Sequence, residues 1–129
     1  MSYTLDHLSI QGCLRIRVEG TWPYEKQEHI MGDILALWEA NNKPPVYIDI
    51  RSMEDTPSIL GDYEVAERLS EFGFWRMGRI AVLDSPSRRS ANDFFETTTY
   101  NRGLCFRFFY DNEQEAVDWL IAGRDDGHG

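Results

Sequence analysis

The sequence predicts an α/β domain: a single mixed sheet of four or five strands with helices packed against it. Three observations carry this expectation. An apolar run at residues 46–50 ends in a charged pair, crosses a short acidic loop and enters an amphipathic stretch beginning at Ile59. Strand-like and helix-like segments then alternate at short intervals, which implies right-handed parallel crossovers. Before them, residues 4–10 and 13–19 flank Gln11-Gly12 and suit an antiparallel pair at the sheet edge.

In the second of these segments Cys13, Arg15, Arg17 and Glu19 alternate with Leu14, Ile16 and Val18, the period of two of a strand with one wet face. Gly20-Thr21-Trp22-Pro23 is a break, with Pro23 placed for the first turn of a helix. Ile30, Ile34, Leu37 and Trp38, with Met31 and Leu35 alongside, recur at helical spacing through Ala40, and Pro44-Pro45 ends that helix. The expectations that follow are a strand at 46–50, a helix at 59–72, a strand at 79–83 and a helix at 88–100 entered through Ser85-Pro86. A strand at 104–109 and a last helix at 112–121 complete the set, with Asn112 and Glu115 at capping-box spacing. Residues 1–122 form the one expected domain, and 123–129 read as a frayed tail. Ile48, Ile50, Ile80, Val82, Phe106 and Phe108 are the residues expected to be buried in adjacent strands.

Composition narrows the classes. A chain of 129 residues fits one domain with a real core, and 42% hydrophobic and 13% aromatic content argues against disorder. A formal charge of −9 disfavours nonspecific binding to nucleic acid or to an anionic membrane, so neither is an expected partner. The charge is uneven: residues 68–107 carry seven arginines against four acids. Cys13 and Cys105 each sit in an apolar strand-like run, and two thiols so placed make neither a disulfide framework nor a metal cluster. Both are expected to be small buried residues in a reducing compartment. The first residues lack a basic stretch followed by an apolar core, so no signal peptide is expected, and no apolar run reaches bilayer length. A soluble cytoplasmic protein without membrane insertion is the expectation.

Several local strings carry a resemblance: Tyr47-Ile48-Asp49-Ile50-Arg51, Thr56-Pro57-Ser58, Ile80-Ala81-Val82-Leu83, Phe94-Phe95-Glu96, Asn101-Arg102-Gly103 and Glu115-Ala116-Val117-Asp118-Trp119-Leu120. In this order and spacing they resemble the STAS/SpoIIAA-like superfamily, the fold of bacterial anti-sigma-factor antagonists. They are closer still to uncharacterised STAS/SEC14-like bacterial proteins of similar length. The resemblance implies SpoIIAA-like (STAS) topology with about four helices flanking the sheet, and self-association, so that a homodimer is expected. In relatives that act as anti-sigma antagonists, a phosphoacceptor serine opens the helix after the third strand, within an Asp-Ser-Ser-Gly type motif. Laying Asp49 on the strand-ending aspartate of that pattern puts Ser58 at the phosphoacceptor position. Pro57 then replaces the preceding acid and Ile59-Leu60 replace Ser-Gly. The resemblance therefore implies the fold more than the switch.

Among single residues, Ser58 has two readings. A phosphate there would meet the backbone N–H groups and positive dipole of a helix N-terminus. Alternatively Ser58, or Thr56 with Pro57 in the first turn, caps the helix. The acidic neighbours Glu54, Asp55 and Asp62 favour the cap. Asp49 and Arg51 read as an ion pair or loop-capping carboxylate at a strand end, with Asp84 and Asp111 as further strand-end acids that could join them. An aspartyl-phosphate receiver is rejected, because the acidic pair and the lysine it needs are missing from the corresponding strand ends. The three histidines show no metal-ligand spacing, no nucleophile lies beside a base, and no glycine-rich phosphate loop is present, so no cofactor, metal or catalytic activity is expected. Phe72-Gly73-Phe74-Trp75-Arg76-Met77 crowds aromatics into a connection that should be polar. Phe74 and Trp75 are accordingly expected on a partner surface, the alternative being that some of these rings fold back over the sheet edge; Arg76, Arg79, Arg88 and Arg89 lie nearby in sequence and could rim that surface or bind an anion. The expected function is a non-enzymatic domain that binds a protein partner in bacterial regulation. A SEC14-like carrier of a lipid or other small apolar ligand is the alternative.

Overall fold

A computed structural model describes residues 3–21, 27–54, 63–110 and 112–125. Five strands form the sheet: β1 (Tyr3–Ile10), β2 (Cys13–Thr21), β3 (Val46–Asp49), β5 (Arg79–Leu83) and β6 (Cys105–Phe109), lying side by side in that order. A two-residue strand, β4 (Met53–Glu54), pairs with the end of β2. Among the described residues four α-helices complete the fold: α1 (Gln27–Ala40), α2 (Tyr63–Glu71), α3 (Arg89–Tyr100) and α4 (Glu113–Asp125). β1 is antiparallel to β2, and β2, β3, β5 and β6 are mutually parallel. The mixed α/β sheet predicted by the sequence is therefore observed.

Local chemistry explains the element ends. β1 and β2 are joined by Gln11 (φ 52°) and Gly12 (φ 82°), the two left-handed residues that a tight hairpin turn requires. Helix α1 ends with Asn42 in the left-handed region, and Lys43 N–H bonds the Trp38 carbonyl at 2.8 Å, after which Pro44 cannot continue the helix. Asn112 Oδ1 accepts the N–H groups of Gln114 and Glu115, capping α4 as its spacing predicted.

The alternation of side chains sorts two apolar layers. Leu14, Ile16, Val46, Ile48, Ile80 and Val82 face α1, α2 and α3, where Ile30, Ile34, Val65, Leu69 and Phe95 meet them. Tyr47, Ala81, Leu83 and Phe109 face the opposite way, under Ala116, Val117 and Leu120 of α4. β3 is covered on both faces, which is why it reads as an unbroken apolar run. Phe95 sits edge-on to Phe106 and Phe108, with ring centroids 5.4 and 5.9 Å away.

Some expectations need correction. Cys13 is buried but Cys105 is exposed, because it opens β6, a strand at the edge of the sheet. Phe106, in the same strand, is only partly buried. The acidic loop after β3 contains β4, which the sequence did not suggest. Helix α4 runs to Asp125, beyond Ile121 and into the segment read as a tail. The edge of β6 is itself guarded: Glu96 of α3 accepts the Phe108 N–H at 2.7 Å.

Candidate functional site

The carboxyl ends of β3 and β5 form a charged rim. Asp49 closes β3 on the α4 side of the sheet and is 2% exposed. Its Oδ1 accepts the Arg51 backbone N–H and Nε–H, both at 3.0 Å, and its Oδ2 accepts Arg51 Nη2–H at 2.8 Å. Arg17, in register with Asp49 on the neighbouring strand, adds a second guanidinium at 3.6 Å. One buried carboxylate is thus clamped from two sides, the geometry in which an ion pair offsets its desolvation.

The expected Asp49–Arg51 pair is present. Arg17 was legible only as the wet face of β2. The same face carries Arg15, 3.7 Å from Glu113 at the start of α4, and Tyr47, whose hydroxyl donates to Glu113 at 3.2 Å. Burial first, then the Glu113 charge, raises the Tyr47 phenol above its ordinary value.

Burial also pushes the Asp49 carboxyl upward, but the hydrogen bonds and charge of Arg51, with Arg17 behind them, outweigh it and hold the group below its ordinary value. A depressed folded pKa contributes stability that is present above the unfolded value, about 3.9, and lost as pH falls through the folded one. Asp49→Asn is therefore expected to lower stability at neutral pH and to flatten its decline on acidification below about pH 5. Urea midpoints of both forms at neutral and acid pH check this. Identical acid slopes would remove the claim.

A second network follows β5. Asp84 is fully buried and accepts hydrogen bonds from Arg88 and from Asn92 Nδ2 at 3.0 Å, and its Oδ1 takes the Ser85 N–H at 2.7 Å. Arg88 also donates to the Met53 carbonyl at 3.0 Å, tying this turn to β4. Asp49 pairs in register with Leu83, so Asp84, one residue on, follows the opposite side of the sheet toward α3. The two aspartates are neighbours in the rim but belong to separate ion pairs, not to one carboxylate set. Asp111 lies outside the described residues. Among those described, no group of three or more His, Cys, Asp or Glu side chains is placed to hold a metal ion.

Thr56, Pro57 and Ser58 also lie outside the described residues. The aromatic connection is corrected in part. Phe74–Met77 forms one turn of 3-10 helix, bracketed by Gly73 (φ 88°) and Gly78 (φ 70°). Residues three apart eclipse in such a turn, so Phe74 and Met77 point together into the core while Trp75 and Arg76 point out. Phe74 is 1% exposed and packs in the core, whereas Trp75 is 58% exposed. The arginines expected to rim this patch are each engaged by a different partner. Arg76 lies over Trp38, Arg79 over Trp119, Arg89 over Tyr110, and Arg88 on Asp84.

No protein-family model matches the sequence, and no curated protein matches it either. Solved structures do. The chain is similar to an anti-sigma factor antagonist from Mycobacterium paratuberculosis, with 16% identity over 93% of this chain and 95% of that one and a TM-score of 0.58. It is similar to the anti-sigma factor antagonist SpoIIAA in its unphosphorylated form, with 17% identity, coverage of 94% and 97%, and a TM-score of 0.52. An uncharacterised protein with a SpoIIAA-like fold from Shewanella loihica PV-4 gives 17% identity, coverage of 92% and 93%, and a TM-score of 0.51. The expected SpoIIAA-like fold is thereby shown over nearly the whole chain.

Proposed function

We propose that this chain is a non-enzymatic, cytoplasmic regulatory domain that binds a protein partner through the rim at the carboxyl ends of β3 and β5. The observation that carries the reading is the Asp49 clamp. Its carboxylate is held by Arg51 and Arg17, which leaves no free base there but presents two partly exposed guanidinium groups in fixed positions. A rigid, charged, desolvated anchor of this kind suits recognition of an acidic protein surface more than proton transfer. Likeness to two anti-sigma factor antagonists supports a regulatory protein-binding role.

The carrier alternative is less well supported. The cavity between the sheet and helices α1 to α3, lined by Met31, Ile34, Phe74 and Phe95, measures about 40 Å³. Ligand pockets for drug-sized molecules are typically about 300–1,000 Å³. No described helix is long and apolar enough to cross a membrane.

The test is a photo-reactive amino acid placed at Ser52, exposed beside Arg51, in the native host. A single heterologous protein adduct is expected, lost when Arg51→Glu is added and absent when the probe is moved to Glu39, exposed in the last turn of α1 at the opposite pole. No adduct, an adduct indifferent to Arg51, or one with a second copy alone would overturn the rim as the partner site.

A further inference from the structure

At the opposite pole of the sheet, where β3, β5 and β6 begin, lies a half-open cleft of about 640 Å³. Among the described residues its walls carry three cations, Lys43, Arg76 and Arg79, and no carboxylate, in a chain whose formal charge is −9. Trp38, Met77 and Leu120 supply apolar wall between them.

The cations are placed with care. Lys43 Nζ and the Arg76 guanidinium approach the same indole, Trp38, at 5.7 and 5.8 Å from the ring centroid. Neither has a carboxylate within ion-pairing distance among the described residues; the aromatic face takes that place. Arg76 Nε donates to the Gly73 carbonyl, and a Cβ on Gly73 would lie 2.9 Å from that same Nε. Arg79 donates to the Trp119 carbonyl at 2.7 Å and crosses α4 at Gly123, where a Cβ would stand 2.4 Å from its Cδ. Both arginines thus pack against a glycine, where an added Cβ would push the guanidinium end of the side chain aside. Lys43 is a non-glycine residue at φ 55°, a conformation L-residues rarely hold, in the turn that forms the cleft wall.

We infer that this cleft is a binding site for a small organic anion: a phosphate or carboxylate headgroup taken by Lys43, Arg76 and Arg79, with a short apolar body against Trp38 and Met77. The cations that rest on the indole turn onto the headgroup when it enters, exchanging a weak cation–π contact for a charge-assisted hydrogen bond. The volume falls within the range of small-molecule sites and is far from the rim, so this site and the partner surface stand or fall separately.

Protein-observed NMR with phenyl phosphate and phenylacetate as probes, and neutral benzyl alcohol as control, tests it. Both anions are expected to shift the Trp38 indole N–H saturably, and to slow alkylation of Cys105, an exposed thiol on the same wall. The neutral alcohol should do neither. Lys43→Gln with Arg76→Gln should weaken the anions about tenfold or more, the range expected for losing charge-assisted bonds. Gly123→Ala, a change that favours a helix, should weaken them by displacing Arg79 while the sheet stays folded. A phosphate that binds while the carboxylate does not would narrow the headgroup and still support the site. No saturable shift with either anion at millimolar concentration, equal binding of the alcohol, or full affinity in the double variant would overturn it.

Discussion

Replacing Phe74 with alanine is expected to destabilise the domain by about 3–5 kcal/mol, the range for removing a large buried aromatic. The ring is 1% exposed and packs in the layer formed by α1 to α3 against the sheet. Trp75, one residue along the same turn, is its control. At 58% exposure its truncation should change stability by only about 0.5 kcal/mol in either direction. Denaturant midpoints of the two variants, measured side by side, settle which way the turn faces. Equal losses, or a larger one at Trp75, would mean that the 3-10 turn is rotated from the structure described.

Arg88→Ala is expected to cost a similar amount, about 3–5 kcal/mol, because it leaves the Asp84 carboxylate buried without its cation. Asp84 has no exposed surface and keeps only Asn92 and the Ser85 N–H as donors in the variant. The Met53 carbonyl loses its donor as well, so β4 should loosen with the turn. Asp84→Asn combined with Arg88→Ala should recover part of the loss, since the neutral amide no longer buries a charge. The double-mutant cycle measures that coupling. If the double variant is as unstable as the sum of the singles, the two residues do not act as a pair.

The sequence determined most of the architecture. Period-two alternation in 13–19, helical spacing through Trp38 and the apolar runs at 46–50 and 79–83 each depend on nearest neighbours along one element, and those elements were found where expected. The same locality made the Asp49–Arg51 pair legible, because two residues apart on a strand end they share one carboxylate. The cap at Asn112 belongs to the same class.

Only the tertiary structure decided what distant segments do to one another. Arg17 joins Asp49 because β2 lies parallel to β3 in a particular register, which no local pattern encodes. Asp49 and Asp84 look alike as strand-end acids, yet the pleat sends them to opposite sides. Phe74 and Trp75 are equally aromatic, and only the eclipsing of a 3-10 turn between two left-handed glycines buries one and exposes the other. Cys105 reads as core from its neighbours but is exposed, because composition cannot say which strand lies at the edge. The cationic cleft gathers Lys43, Arg76, Arg79 and Gly123 from three stretches of chain. Its existence depends on the ends of α1 and α4 meeting the starts of β5 and β6 at one pole of the sheet, a long-range arrangement that is written in no single segment.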